Sequence, residues 1–166
     1  MISRWIEDNP PHIGTGWEPY PLSLRICNWT QWLLVGNSSV DGMDASLVEQ
    51  AHALSQQVED HLLGNHILAN AKALVFAGTY FEGKAADQWL QVGLKLLEEQ
   101  LAEQVLKDGA HFELSPMYHS IILMYVLDLV QLGQLYPGSE IAQRAASLRS
   151  TAAVMASWLE GVLHPD

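Results

Sequence analysis

Residues 65–81 most strongly limit how this chain can fold, because they read NHILANAKALVFAGTYF. Apolar or small residues occupy almost every position, so a helix formed here is apolar on nearly all sides. Such a helix must be buried on most of its surface, and other helices must therefore surround it. No apolar run in the chain approaches the roughly eighteen residues that a membrane span requires, so no membrane partner is expected.

Apolar side chains at helical spacing predict those neighbouring helices. The first covers residues 22–34. The second carries the stripe Leu47, Ala51, Leu54, Val58 and Leu62, with Asp44 as its N-cap. After breaks at Gly78 and Gly83, a helix of roughly twenty residues passes through Trp89, Leu97 and Val105. Two more helices are expected. One runs from Pro116, with Ser115 as its N-cap, to about Leu132, and the other runs from Ile141 to Leu159 and is stopped by residues 164–166.

These patterns predict an all-α fold of antiparallel helical hairpins joined by short turns. Alternation typical of β-strands is absent from the sequence. Residues 1–21, which contain Pro10, Pro11, Pro19 and Pro21, are expected to form an irregular arm held down by Trp5, Trp17 and Tyr20. Residues 22–166 are then expected to form one domain.

Charge and cysteine content restrict the possible partners and compartment. The formal net charge of −11 opposes binding to nucleic acid and disfavours heavily sulfated glycans. The single cysteine, Cys27, excludes an internal disulfide, and no secretory signal is visible, so localisation stays open between the cytoplasm and, for a longer precursor, the periplasm.

Two helix starts carry candidate functional groups. Asn65 and His66 fit either an N-cap with a structural histidine or a carboxylate-binding amide and imidazole, since helix N-termini favour anions. Tyr118 fits either a structural tyrosine, with its ring packed and its hydroxyl exposed to solvent, or a proton-transfer residue. Its segment also contains His111, Glu113 and His119.

A third candidate group lies on the first helix. Arg25, Trp29 and Trp32 share one helix face. These side chains fit either packing in the core or binding of a sugar acid, in which the guanidinium binds the carboxylate and the indole rings stack on the sugar. A metal site is not expected, because His61 and His66 are five positions apart and no HExxH or paired-cysteine motif occurs. No cofactor is predicted.

Three blocks together resemble the helical region of the heparinase II/III family of polysaccharide lyases. They are NPPHIGTGWEPYPLSLRICNWTQWLL, HLLGNHILANAKALVFAGTYFEG and DGAHFELSPMYHSIIL, within roughly residues 4–130. The resemblance implies part of an incomplete (α/α) toroid. It also implies a C-terminal β-sandwich, which this chain does not contain, so the chain is expected to be an incomplete enzyme that pairs with that missing half.

The resemblance also implies cleavage of uronate-containing polysaccharides by β-elimination. Asn65 and His66 would neutralise the uronate carboxylate, and Tyr118 would protonate the C4 oxygen and, for some sugar configurations, also take the C5 proton. Arg25 would contact the substrate, His119 would support Tyr118, and Glu113 would orient these groups. The alternative is a non-catalytic α-helical carbohydrate-binding or scaffold module, and uncovered apolar faces of a partial toroid would favour self-association.

Overall fold

The computed structural model describes residues 1–59 and 64–162. These residues form eight α-helices and one turn of 3-10 helix, with no β-strand among them. The α-helices are α1 (Ile2–Asp8), α2 (Pro19–Leu34), α3 (Met43–Ser55), α4 (Asn65–Tyr80), α5 (Lys84–Gln104), α6 (Pro116–Leu135), α7 (Glu140–Gln143) and α8 (Ala145–Val162); the 3-10 turn is Thr15–Trp17. The all-α prediction is confirmed.

The helices form antiparallel hairpins in two layers. Helices α2, α4 and α6 run in the same direction and lie side by side, whereas α3, α5 and α8 return behind them. Two contacts fix the direction of each pair: Tyr20 with His66 and Ser23 with Asn70 join α2 to α4, while Glu113 beside Gly64 and Asp128 with Lys72 join α6 and its preceding loop to α4. The predicted part of an (α/α) toroid is therefore confirmed, and the N-terminal ends of α2, α4 and α6 lie at one end of the domain.

Helix α4 lies at the centre of the domain. Every residue from Ile67 to Gly78 is buried, including the polar Asn70 and Lys72. This burial confirms the expectation drawn from its all-round apolar sequence. The helix is surrounded by α2, α3, α5 and α6, which supply the other large buried side chains of the core.

Two glycines set the close approach of α4 and α5. A Cβ atom built on Gly78 would lie 2.5 Å from the backbone nitrogen of Leu90, and one on Gly93 would lie 2.8 Å from that of Val75. The predicted helix break at Gly78 is therefore wrong, because this glycine continues α4 and makes room for the α5 backbone. The chain leaves the helix only at residues 81–83.

Gly78→Ala is expected to lower the free energy of unfolding by about 1–3 kcal/mol, because the added methyl group forces two packed backbones apart. Intrinsic helix propensity alone favours alanine by roughly 1 kcal/mol, so the sign of the effect tests the packing. The measurement is urea unfolding followed by circular dichroism. Gly161→Ala is the matched control, since its Cβ would meet nothing within 4 Å. Equal or greater stability of Gly78→Ala would contradict the close contact.

Several predicted helix boundaries require correction. Asp44 lies in the first turn of α3 and Gly42 is the N-cap, while α3 ends at Ser55 and so excludes Val58. Leu62 lies outside the described residues, as do residues 164–166. Helix α6 continues to Leu135, and the predicted last helix is divided into α7 and α8 at residue 144. Ser115 is confirmed as the N-cap of α6.

The predicted irregular arm is partly helical. Residues 2–8 form α1, and α2 already begins at Pro19, because proline is tolerated in the first helical turn. Apolar contact orders the arm: the rings of Trp5 and Trp17 lie 6.3 Å apart, and Trp17 is buried. The expected anchoring by these tryptophans is thus present.

Candidate functional site

The starts of α4 and α6 meet at one end of the domain. The loop that precedes α6 lies directly against the residue that precedes α4, since a Cβ atom on Gly64 would lie 2.8 Å from Glu113 Oε1. Asn65 and His66 are the first two residues of α4, and Tyr118 is the third residue of α6. The structure therefore places these three predicted residues at the same end of two neighbouring parallel helices.

A buried hydrogen-bonded bridge fixes the spacing between these helix starts. Gln104 Nε2 donates to the carbonyl oxygen of Gly64 at 2.9 Å and to Gln100 Oε1 at 2.7 Å. The remaining polar atom of Gln104, Oε1, lies 3.0 Å from His111 Nε2 and must accept its proton. Gln104 therefore joins the start of α4 to the loop before α6.

The same bridge determines the state of His111. In the neutral ring, a proton on Nε2 leaves Nδ1 unprotonated, and this buried Nδ1 atom has no hydrogen-bond partner in the described part of the chain. Burial lowers the pKa of His111, an effect that Glu113 opposes and His119 reinforces. Neutral His111 thus supports folding, and this contribution is lost as the pH falls below the ordinary histidine range.

His119 is fully buried. Its Nδ1 accepts a hydrogen bond from the backbone nitrogen of His111 at 3.2 Å, and its Nε2 donates to the carbonyl oxygen of Met155 at 2.9 Å. The imidazole also packs on Trp158, with 4.6 Å between ring centroids. Both ring nitrogens are therefore occupied by internal hydrogen bonds, and the role expected for His119 at the site stays a prediction. His119 holds the loop, α6 and α8 together beside Tyr118.

The His66 ring is half-buried and contacts two residues that the sequence did not single out for chemistry. Its Nδ1 lies 3.2 Å from Glu59 Oε1, and its ring stacks on Tyr20 with 4.4 Å between centroids and 19° between planes. Burial raises the pKa of Tyr125 on α6, and its neighbour Tyr20 raises it further. Glu59 lies in a loop, so no helical spacing could have connected it with His66.

The Tyr118 side chain is half-buried and Glu113 is exposed at the surface. The backbone nitrogen of Tyr118 donates to Ser115 Oγ at 3.5 Å, which anchors the first turn of α6. Among residues 1–59 and 64–162, the Tyr118 hydroxyl has no hydrogen-bond partner in the structure. This hydroxyl is therefore not committed to a hydrogen bond with any of the described residues.

Arg25 and Trp29 of α2 contact the N-terminal arm. Arg25 donates from Nε to Gln50 Oε1 at 2.7 Å and from an Nη to the Gly16 carbonyl oxygen at 2.8 Å, and its guanidinium lies 3.8 Å from the Trp5 ring centroid. Burial lowers the pKa of Arg25 to about 10. Trp29 packs edge-on against the same Trp5 ring. Both side chains anchor the N-terminal arm, and their expected contact with substrate stays a prediction.

In the described ranges, no three His, Cys, Asp or Glu side chains are grouped in a way that could hold a metal ion. His61 lies outside the described residues. Likewise, none of the described helices is both long and apolar enough to cross a membrane.

Comparison with known proteins assigns the family. The family model described as "Heparinase II/III N-terminus" matches residues 2–145. The chain belongs to the heparinase II/III family. This match covers the whole of the arm and all helices through α7, including both helix starts described above.

Relatives in this family are much longer than the chain. A heparin-sulfate lyase of Bacteroides thetaiotaomicron is 32% identical over 145 residues, which cover 81% of this chain and 21% of that protein. A heparin-sulfate lyase of Pedobacter heparinus is 33% identical over 131 residues, covering 72% and 20%. The chain thus spans about a fifth of the length of these heparinase II/III relatives.

Solved structures agree with the fold. The crystal structure of a heparinase III superimposes with a TM-score of 0.73 at 27% identity, covering 95% of this chain and 25% of that one. The heparan sulfate lyase HepC of Pedobacter heparinus gives a TM-score of 0.63 at 26% identity and covers 99% of this chain and 27% of its own. The helical hairpins are therefore those of the heparinase II/III helical domain.

Proposed function

We propose that this chain is the helical part of a polysaccharide lyase that cleaves uronate-containing glycans by β-elimination. The observation that carries the proposal is the contact of Glu113 with Gly64, which brings the start of α6 to the start of α4. An amide, an imidazole and a phenol at one end of two parallel helices match the needs of this reaction. Family membership and the lyase names of the relatives support the same reading.

The reaction removes the C5 proton of a uronate residue and breaks the C4–O bond. The electron pair of the C5–H bond forms the C4–C5 double bond, and the leaving C4 oxygen takes a proton. Negative charge builds on the carboxyl oxygens as the C5 proton departs, so donors already aimed at those oxygens lower the barrier. Asn65 Nδ2 and the His66 ring would supply these donors.

Tyr118 would act as the acid that protonates the leaving C4 oxygen. A phenol is a competent donor, because its ordinary pKa near 10 keeps it protonated at neutral pH. For sugars whose C5 hydrogen and C4 oxygen lie on the same face, Tyr118 would instead start as the phenolate, take the C5 proton and pass that proton to the leaving oxygen, which restores the phenolate. Glu113 would orient the groups at the helix starts.

Charge favours a substrate with few sulfate groups. The chain has a net charge of −11, and two of the acidic side chains, Glu59 and Glu113, lie at the candidate site itself. Sulfate recognition needs clustered cations, whereas a single carboxylate can be met by an amide and one imidazole. We therefore propose an unsulfated or sparsely sulfated uronate glycan as substrate.

A non-catalytic binding or scaffold role is the second candidate. It is supported by an exposed apolar stripe along α6, formed by Met117, Met124, Leu127 and Leu135, whose exposed fractions run from 46 to 58%. A surface of this kind favours association with another protein surface or a second copy. A β-sandwich part, as the family resemblance implies, is a further proposed partner.

Glycan titration tests the proposed function. We expect an unsulfated oligouronate to shift the NMR signals of the Asn65 amide and the His66 ring, and Asn65→Ala to weaken binding roughly tenfold, because it removes a hydrogen bond to a charged group. Gln88→Ala is the matched control, since this exposed amide lies at the start of α5, at the opposite end of the hairpin. Signal changes confined to the α6 stripe would instead favour the scaffold role.

A further inference from the structure

The Glu59 carboxylate is held in a fixed place by a buried amide. Asn70, which is fully buried, accepts a hydrogen bond at Oδ1 from the Glu59 backbone nitrogen at 2.9 Å. Its Nδ2 donates to Glu59 Oε2 at 3.4 Å and to Ser23 Oγ at 3.0 Å. Glu59 is therefore tied to α4 and, through Ser23, to α2, although it lies in a loop.

This fixed carboxylate faces one nitrogen of His66. Glu59 Oε1 lies 3.2 Å from His66 Nδ1, and the Glu59 side chain is 12% exposed against 39% for His66. An ionised carboxylate can only accept hydrogen bonds. The Nδ1 atom must therefore carry a proton whenever this contact is made, and Nε2 is the nitrogen whose proton can come and go.

Tyr20 restrains the ring from its other side. Its phenol ring is nearly parallel to the imidazole, at 4.4 Å, so rotation of the His66 ring out of this plane would lose the stacking contact. Tyr20 itself lies in the first turn of α2. Side chains from α2 and from the loop before α4 therefore both hold this imidazole of α4.

We propose that Glu59 is a positioning residue that keeps a proton on His66 Nδ1 and so presents Nε2 to the uronate substrate; the substrate part rests on the proposed function. With both nitrogens protonated, Nε2 donates to the carboxylate of the sugar. With the ring neutral, Nε2 offers a lone pair and can accept a proton. A buried carboxylate orients histidine in the same way in serine hydrolases.

The test reads the position of the proton directly. The measurement records the nitrogen-15 shifts and the proton–nitrogen couplings of the His66 ring in the 166-residue chain, under conditions where the ring is neutral. The His66 signals are assigned by their loss in His66→Gln. We expect the Nδ1-protonated form to predominate by about tenfold or more, since a hydrogen bond to a charged group is among the stronger ones. In Glu59→Ala this preference is expected to disappear.

Two further variants separate this role from a loss of folding. Glu59→Gln keeps the size of the side chain, but its amide can either donate or accept, so a mixture of both ring forms is expected. Glu49→Ala is the matched control: Glu49 contacts His12 Nε2 at 2.7 Å in an exposed pair, and its removal should leave the His66 signals unchanged.

The outcomes distinguish this inference from the proposed function. A proton on Nε2 in the unchanged chain, or an unaltered ratio in both Glu59 variants, would overturn the role of Glu59 even if oligouronate binds. The opposite result is a predominant Nδ1-protonated form in a chain that does not bind unsulfated oligouronate. That result would overturn the proposed function, and with it the claim that His66 Nε2 is presented to the uronate. Binding that shifts Nε2 and weakens in Glu59→Ala would support both.

Discussion

Tyr118→Phe is expected to lower the rate of glycan cleavage at least about a hundredfold in a complete lyase that carries this domain, because proton transfer by a positioned acid contributes roughly 10²–10⁴-fold. The substitution removes one hydroxyl group and leaves the ring that packs at the start of α6. Since that hydroxyl makes no internal hydrogen bond within the described residues, folding should be almost unchanged. The rate is followed by the ultraviolet absorbance of the unsaturated product.

Tyr136→Phe provides the matched control for this measurement. Tyr136 is also half-buried, but it lies at the other end of α6, where it is the C-cap. The same chemical change there should leave turnover close to that of the unchanged protein. Near-normal turnover of Tyr118→Phe, with Tyr136→Phe equally active, would remove Tyr118 from the proposed chemistry and favour the non-catalytic role.

Asp128→Ala is expected to lower the free energy of unfolding by about 3 kcal/mol, because it leaves a buried cation without its partner. Lys72 Nζ lies 2.5 Å from Asp128 Oδ2, and the Lys72 side chain is only 6% exposed. The cation also lies 4.5 Å from the Tyr125 ring centroid and 5.6 Å from that of Phe76, contacts that offset part of the loss. Chemical unfolding of the purified chain measures the effect.

Two comparisons decide whether burial causes this effect. Glu99→Ala removes the partner of Lys95 in an exposed pair on α5, and we expect a change below about 0.5 kcal/mol. The double replacement Lys72→Met with Asp128→Leu removes both buried charges and should recover much of the stability lost in Asp128→Ala. A small effect of Asp128→Ala, equal to that of Glu99→Ala, would show that the pair does not join α4 to α6.

Glycines show how local propensity and tertiary contact can disagree. From the sequence, Gly78 is expected to interrupt a helix, since glycine is a poor helix former. In the structure it lies inside α4, because only a residue without a side chain allows the α5 backbone to approach so closely. The identity of the neighbouring helix at that point cannot be obtained from residues near 78 alone.

The candidate site was likewise predictable only in part. The helix starts at Asn65 and Ser115 follow from local capping and periodicity, and the family resemblance pointed to Asn65, His66 and Tyr118. Local spacing on α2 grouped Arg25 with Trp29, but the N-terminal arm occupies both side chains. Which face of a helix meets substrate depends on the segments that cover its other faces, and these come from distant parts of the chain.

The amino-acid sequence by itself determined that the chain is all-α, that α4 is its buried centre, and that polar groups stand at two helix starts, because apolar periodicity and capping are local properties. Tertiary structure alone decided that these starts meet, that Gln104 and His111 bridge them, and that Glu59 and Tyr20 hold His66. These contacts join residues from different helices and loops, and packing in three dimensions is what brings their side chains within hydrogen-bonding distance.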